Sequence, residues 1–165
     1  MSQDSNAEQL ESPEKEQKKL NILVVEDERG IRMMMGGFIE TSTVPSQVGL
    51  IETAADGQEA LEILKNNKGK FNVVITDGQM PKMGGLELAK KIKESGWDIT
   101  VGLMSGDLGR LGLSNPETQA SVMEDYGIAA LLSKPFNLSQ FGEFMQQIIT
   151  VRAENSAASQ SQTPQ

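Results

Sequence analysis

The sequence predicts an α/β fold, a doubly wound sheet of five parallel strands with helices on both faces. Short apolar runs alternate with helical patterns five times along the chain. Most of these runs are continuously apolar, which is typical of strands whose two faces are both covered by helices. Five consecutive βα units also imply right-handed crossovers, and such crossovers place the helices against the sheet.

Each strand is predicted from a short apolar run bounded by polar or turn-forming residues. The first run ends in Glu26-Asp27, and the third ends in Asp77, just before a turn rich in Gly, Met and Pro. These endings fix the carboxyl ends of two strands. The five predicted strands are residues 22–25, 49–53, 73–76, 100–104 and 129–132.

The helices are predicted from apolar residues at helical spacing and, for three of them, from start signals. Asp56 with Glu59 forms a capping-box pattern, and Asn137 with Gln140 forms a weaker one. Asn115 precedes a proline, which fits an N-cap followed by proline at the first helical position. The predicted helices are residues 28–40, 57–66, 85–95, 116–126 and 138–151.

The chain length and composition predict one folded domain between two polar tails. With 165 residues the chain is long enough for one proper core. We expect a disordered N-terminal tail over residues 1–19 and a disordered Ser/Gln-rich C-terminal tail over residues 153–165. The folded domain is expected over residues 20–152, and no second domain is expected after it.

The residue counts exclude several classes of site. The chain has no histidine and no cysteine, which rules out His-based catalysis, phosphorylation on histidine within this chain and thiolate sites. A metal would need oxygen ligands. The net charge of −8 disfavours direct binding to DNA. No apolar run is long enough to span a membrane and no secretory signal is visible, so we expect a cytoplasmic protein.

Polar side chains follow the apolar strands and predict a site at one edge of the sheet. Because the carboxyl ends of parallel strands share an edge, Glu26, Asp27 and Asp77 should gather there, with Ser105 and Lys134 close by. Three carboxylates repel one another unless a cation binds them, and Mg²⁺ is the natural choice for oxygen ligands. An Asp nucleophile, a lysine, a hydroxyl and a metal together are suited to phosphoryl transfer onto a carboxylate.

The sequence resembles the receiver domains of response regulators in two-component signalling, and the resemblance implies their flavodoxin-like (βα)5 fold. The resemblance covers all five βα units. The matching segments are Val24-Val25-Glu26-Asp27-Glu28, Ala55-Asp56-Gly57-Gln58-Glu59-Ala60-Leu61, Asp77-x-x-Met80-Pro81-x-Met83-x-Gly85, Gly85-Leu86-Glu87-Leu88 and Lys134-Pro135-Phe136.

The resemblance implies a role for each strand-end residue. Asp77 would accept a phosphoryl group from a phosphohistidine of a sensor histidine kinase or a histidine phosphotransfer protein. Glu26, Asp27, Asp77 and the backbone carbonyl of Gln79 would hold Mg²⁺. Lys134 and Ser105 would contact the phosphoryl group. Such a domain is not an enzyme in the ordinary sense, since it catalyses only its own phosphorylation and slow dephosphorylation.

Three features depart from the family pattern. Leu131 occupies a position that is commonly aromatic, and Gly84 replaces an acidic residue. The segment of residues 106–114 makes the path from Ser105 to Lys134 longer than usual and contains several glycines. We expect this segment to be a partner-binding or gating element, with a neutral surface insertion as the alternative. Gln79 and Asp107 are expected to tune phosphoryl hydrolysis.

The function has one preferred interpretation and two alternatives. The preferred one is a single-domain response regulator that signals by binding an unknown downstream protein or by passing the phosphoryl group onward. The first alternative is a degenerate receiver that acts as a constitutive interaction module. The second is a phosphatase of the haloacid-dehalogenase type, which normally needs a second Asp where this chain has Gln79.

Overall fold

A computed structural model of the chain describes residues 18–43 and 45–161. Residues 1–17 of the predicted N-terminal tail and residues 162–165 lie outside the described part. The elements in chain order are β1 (Leu20–Val25), α1 (Arg29–Ser42), a short 3₁₀ helix (Pro45–Gln47), β2 (Val48–Ala54), α2 (Gly57–Asn66), β3 (Val73–Asp77), α3 (Gly85–Glu94), β4 (Thr100–Ser105), α4 (Pro116–Tyr126), β5 (Ile128–Ser133) and α5 (Leu138–Gln160).

The five strands form one parallel sheet in the order β2-β1-β3-β4-β5. Two apolar cores lie on its opposite faces. One is formed mainly with α2 and α3, and the other with α1 and α5. The doubly wound α/β fold predicted from the sequence is therefore confirmed. The continuous apolar runs arise because strands such as β3 are buried along their whole length.

The strand order determines where a ligand site can form. The chain runs from β1 outward to β2 and then returns to add β3 on the other side of β1. Crossovers from neighbouring strands thus leave in opposite directions at β1 and β3, which opens a crevice beyond their carboxyl ends. Glu26 and Asp27 follow β1 directly and Asp77 ends β3, so the sheet topology brings these three residues to the same place.

The last helix is longer than predicted. We expected its end at Val151 and a disordered tail from residue 153, whereas α5 continues to Gln160. Residues 153–160 are therefore helical, which corrects that part of the predicted tail. Arg152 explains why helix formation does not stop at Val151. Its side chain is almost fully buried and binds Asp98 in the loop before β4, which fixes this turn of α5 against the domain.

Two smaller features refine the sequence interpretation. Gly84 has extended backbone angles and is the N-cap of α3, so it lies outside the helix and does not weaken its interior. The segment between α1 and β2 contains the short 3₁₀ helix. Among the described residues, no helix is both long and apolar enough to cross a membrane.

Candidate functional site at the carboxyl end of the sheet

Three carboxyl groups meet where β1 and β3 end. One oxygen from each of Glu26, Asp27 and Asp77 lies within 4.8 Å of the others. Glu26 follows β1 directly and is fully buried, whereas the neighbouring Asp27 is exposed. Asp77 is the last residue of β3 and is 7% exposed. The structure thus brings together the three acidic residues that the sequence predicted as metal ligands.

Lys134 joins this cluster from the end of β5. Its Nζ lies 2.7 Å from Oε2 of Glu26 and 3.3 Å from Oδ1 of Asp77. The Lys134 backbone N–H donates to the Ser105 carbonyl at 2.8 Å, which ties the start of this loop to β4. The next peptide bond, Lys134–Pro135, is cis. One ammonium group is therefore shared between two carboxylates, while a third carboxylate lies beside them.

The electrostatics of the cluster reflect an excess of buried negative charge. Burial raises the pKa of Glu26 above its ordinary value, and the hydrogen bond and charge of Lys134 offset only part of this effect. Burial likewise raises the pKa of Asp77, again against the charge of Lys134. Burial lowers the pKa of Lys134, but its contacts with Glu26 and Asp77 more than reverse this and raise it overall. The site would therefore gain from one more positive charge.

Backbone groups hold the carboxylates in place. The Gly78 N–H donates to Oδ1 of Asp77 at 2.9 Å, and the Glu28 N–H donates to Oε1 of Glu26 at 3.2 Å. Arg32, on the first turns of α1, donates from Nη1 to the carbonyl oxygens of Glu26 and Asp27. These contacts orient the acids without neutralising their side chains, because Arg32 binds backbone oxygens.

Ser105 lies at the end of β4, beside the cluster. Strand pairing sets Asp77 opposite Met104, one residue before Ser105. The Ser105 side chain is buried, and its hydroxyl oxygen accepts a hydrogen bond from the Asp107 N–H at 3.1 Å. Its predicted position next to Asp77 is thus consistent with the strand register.

Gln79 lies in the loop between β3 and α3, and its residue is exposed. This loop is closed by the Gly85 N–H, which donates to the Gly78 carbonyl at 3.1 Å. It is also held from outside, because the Gly57 N–H donates to the Met83 carbonyl at 3.2 Å. The position of the Gln79 carbonyl therefore depends on contacts made at both ends of the loop.

Sequence reasoning missed Lys82, which supports the same loop. Its Nζ lies 2.7 Å from Oδ2 of Asp56, the N-cap residue of α2. The hydrogen bond to Lys82 lowers the pKa of Asp56. Lys82 has a positive φ of 65°, a backbone conformation that residues other than glycine rarely adopt. Position in the Met-Pro turn was the only available signal, since the partner Asp56 had already been assigned as a cap.

The donor set determines what the cluster could bind. All candidate ligands are oxygens, from three carboxylates and nearby backbone carbonyls, which suits a hard divalent cation. Asp77 contacts Lys134 and accepts a hydrogen bond from the Gly78 N–H, and one of its oxygens lies within 4.8 Å of oxygens of Glu26 and Asp27. The arrangement can therefore hold a cation and present one carboxylate to an electrophile.

Comparison with known proteins agrees with this arrangement. The family model of the response regulator receiver domain matches residues 22–146. The chain is 30% identical over 128 residues to the sensor kinase CckA of Brucella abortus (strain 2308). It is 34% identical over 128 residues to an uncharacterized transcriptional regulatory protein, YesN, of Bacillus subtilis (strain 168). These matches cover 78% of this chain but only 12% and 32% of the two relatives.

A solved structure provides a similar match over a whole chain. The chemotaxis response regulator CheY4 of Vibrio cholerae superposes with a TM-score of 0.62 at 27% identity, covering 79% of this chain and 99% of that one. The family match runs from within β1 to the first part of α5, and it includes every residue of the acidic cluster together with Lys134. This chain belongs to the response regulator receiver domain family, a family of signalling domains in two-component systems.

Proposed function

We propose that this protein is a response regulator in which Asp77 accepts a phosphoryl group from a phosphohistidine of a partner protein. The observation that carries the proposal is the shared ammonium of Lys134, 2.7 Å from Glu26 and 3.3 Å from Asp77, in a cluster of three carboxylates. This sequence contains no histidine, which is in keeping with a separate donor, a sensor histidine kinase or a histidine phosphotransfer protein.

The transfer step follows from the contacts of Asp77. A carboxylate oxygen of Asp77 attacks phosphorus, a new O–P bond forms and the N–P bond of the donor phosphohistidine breaks. The bonding electrons return to the imidazole nitrogen, and the proton carried by the other ring nitrogen makes the leaving group a neutral imidazole. The Gly78 N–H holds the attacking carboxylate in orientation, and Lys134 stands beside it to offset the negative charge of the incoming phosphoryl oxygens.

We infer that Mg²⁺ is the cation of this site, held by Glu26, Asp27, Asp77 and the backbone carbonyl of Gln79. The residues fit the ion, since they supply oxygens only and their negative charge exceeds that of Lys134. When bound, Mg²⁺ neutralises charge on the reacting oxygens. The raised pKa values of Glu26 and Asp77 support this, because they result from burial that one lysine does not compensate.

Signalling then depends on the added charge. A phosphoryl group contributes about −1.5 to −2 charges beside the buried Ser105 hydroxyl, which would donate a hydrogen bond to a phosphoryl oxygen. The phosphorylated form would act in the cytoplasm by binding a downstream protein or by passing the group onward. The net charge of −8 speaks against DNA as the direct target.

The proposal is tested by intact mass after incubation with Mg²⁺ and acetyl phosphate. We expect the wild type to gain one phosphoryl group and Asp77→Asn to gain none. Asp125→Asn is the matched control, because it removes an exposed acid on α4, outside the cluster, and should leave the gain unchanged. Omitting Mg²⁺ or adding a chelator should suppress the gain in the wild type.

A specific observation keeps the constitutive module as a second candidate. Leu131, half-buried on β5, stands where the family pattern commonly has an aromatic residue, so any signal from Asp77 to the surface must use other groups. A wild type that gains no mass, either from acetyl phosphate or from a phosphohistidine donor, would contradict phosphorylation and favour the module. Equal gain in wild type and Asp77→Asn would instead show that another residue is modified.

A further inference from the structure

The segment of residues 106–114 packs down onto the domain and contacts the loop that follows Asp77. Leu113 is buried in the core, and Leu108 and Leu111 pack partly buried against the same cluster. The Leu113 N–H donates to the Leu108 carbonyl at 2.8 Å, and Gly112 between them has a positive φ of 75°. This turn presents the Leu111 side chain towards β3. The segment is therefore an ordered part of the site's surroundings rather than a neutral surface insertion.

Leu111 occupies space that Gly78 leaves empty. A Cβ atom placed on Gly78 would lie 2.6 Å from Cδ1 of Leu111, a distance that real Cβ atoms do not tolerate. The other two neighbours of this position, the Met104 carbonyl and the Ser105 Cβ, would lie at 3.3 and 3.4 Å. Leu111 thus fits against the backbone of Gly78 because glycine has no side chain, and an added methyl group would displace mainly Leu111.

This contact leads directly to the reacting carboxylate. The Gly78 N–H donates to Oδ1 of Asp77 at 2.9 Å and to the Met104 carbonyl at 2.7 Å. Gly78 therefore connects three groups, the Asp77 carboxylate, the end of β4 and Leu111. A shift of the Gly78 peptide by a few tenths of an ångström changes the direction of a hydrogen bond to the nucleophile, and carboxylate orientation strongly affects transfer rates.

We propose that Leu111 is a positioning residue. Seated against Gly78, it holds the Gly78 N–H on Asp77 and so couples the 106–114 segment to the reactivity of that carboxylate. The inference rests on the proposed function of Asp77. Because coupling between two sites is reciprocal, modification of Asp77 also changes how firmly Leu111 is seated. The 106–114 segment thereby follows the phosphorylation state of Asp77 without an aromatic residue at position 131.

The seating of Leu111 is tested first, by limited trypsin digestion of the full chain. Arg110 is the only Lys or Arg between Lys93 and Lys134, and its side chain is exposed, so cleavage before Leu111 yields fragments identifiable by mass. We expect Leu111→Ala and Gly78→Ala each to speed this cleavage at least threefold. Gly106→Ala is the matched control, because a Cβ there meets no atom within 4 Å, and it should cleave like the wild type.

The positioning role is tested by the rate of phosphoryl gain from acetyl phosphate with Mg²⁺. Each single variant, Leu111→Ala and Gly78→Ala, should slow the gain about three- to tenfold. In the double variant the methyl group on residue 78 fills the space vacated by Leu111. The double variant should therefore react faster than the product of the two single effects predicts, and no slower than either single variant.

The outcomes separate this inference from the proposed function. Single-variant effects that multiply in the double variant, or a Leu111→Ala protein that reacts like the wild type, would overturn the positioning role. Equal slowing by Gly106→Ala would do the same, since it would show a nonspecific effect of the segment. A wild type that gains no phosphoryl group would overturn the proposed function and the positioning role together, while the trypsin result would still decide whether Leu111 is seated on Gly78.

Discussion

The two ends of the sheet use the same residue types in opposite ways. At the carboxyl end, Glu26, Asp27 and Asp77 share one lysine, and burial raises the pKa of Glu26 and Asp77. At the amino end, Asp98 has an arginine of its own. Arg152 donates from Nη1 and Nη2 to the two carboxylate oxygens at 3.2 and 2.9 Å, and this hydrogen bonding lowers the pKa of Asp98.

The difference supports our proposal that the carboxyl end binds a cation, and it indicates a structural role for the charged pair at the amino end. The negative charge of Asp98 is balanced by the positive charge of Arg152. The pair therefore needs no further ligand, and it holds α5 against the loop before β4. The three carboxylates at the other end are favourable only when another positive group is present. Both ends contain acids close to strand termini, and the charge imbalance is what supports placing the proposed site at the carboxyl end.

The largest effect is expected from removing Arg152. Arg152→Ala should lower the free energy of unfolding by about 2 kcal/mol, because it removes charge-assisted hydrogen bonds and the packing of a buried side-chain stem. The loss is limited because Asp98 is 69% exposed and can be hydrated when unpaired. Urea unfolding followed by circular dichroism measures this change, and phosphoryl gain by the folded variant should be unaltered.

Arg152→Lys is the control for this prediction. It keeps the positive charge but lacks the fork that binds both Asp98 oxygens, so its loss of stability should lie between wild type and Arg152→Ala. Asp98→Asn should cost less than Arg152→Ala, since the buried arginine retains its hydrogen bond to the Asp98 carbonyl. An Arg152→Ala protein as stable as the wild type would contradict the structural role of the Asp98–Arg152 pair.

Removing a charge at the carboxyl end should stabilise the protein, in contrast to the loss of stability expected for Arg152→Ala. Without Mg²⁺ at pH 7, Asp77→Asn should raise the free energy of unfolding by about 1 kcal/mol, since it removes a buried charge that Lys134 compensates only in part. The amide oxygen can still accept from the Gly78 N–H, and Lys134 keeps Glu26 as its partner. The same urea titration measures the gain.

The control uses the metal that we propose for the site. Saturating Mg²⁺ should stabilise the wild type and have much less effect on Asp77→Asn, so the gain from the substitution should shrink or reverse when Mg²⁺ is present. An Asp77→Asn protein that is less stable than the wild type without Mg²⁺ would show that Lys134 already balances the cluster. The contrast between the two ends would then lose its basis.

Much of the carboxyl end could be predicted from the sequence. The short apolar runs predict the strands, and the polar residues that follow them therefore lie at strand ends. Parallel strands bring such ends together, and the residues concerned are Glu26, Asp27, Asp77, Ser105 and Lys134. The observed sheet and the gathering of the three acids agree with that prediction. The local signals were strong because each strand boundary is also a change from apolar to polar residues.

The amino end and the loops were less predictable because their contacts join distant parts of the chain. Arg152 and Asp98 are separated by 54 positions, and nothing near either residue indicates the other. This is why the sequence placed the end of the last helix at Val151 while α5 continues to Gln160. The fit of Leu111 against Gly78 was equally invisible, since it depends on the absence of a side chain and on how the 106–114 segment folds.

The smallest effect expected, and the one specific to the comparison, is the pH dependence of the Asp77→Asn gain. The folded protein binds a proton at Asp77 more readily than the unfolded chain, because burial raises the pKa of Asp77 in the folded state. Between the ordinary pKa, about 4, and that raised value, stability therefore falls as pH rises. The Asp77→Asn variant has no carboxyl group to ionise at this position, so its stability does not fall for this reason.

The Asp77→Asn variant should exceed the wild type in free energy of unfolding most strongly near pH 7. The difference should shrink as pH falls towards about 4, in urea titrations without Mg²⁺. Asp98→Asn supplies the contrast, because the pKa of Asp98 is lowered. Asp98 contributes stability above its unfolded pKa that is lost only as pH falls through its folded value, so the Asp98→Asn difference should stay constant from about pH 5 upwards. A pH-independent difference for Asp77→Asn would mean that Asp77 carries no charge penalty in the fold, and the contrast between the two ends of the sheet would not hold.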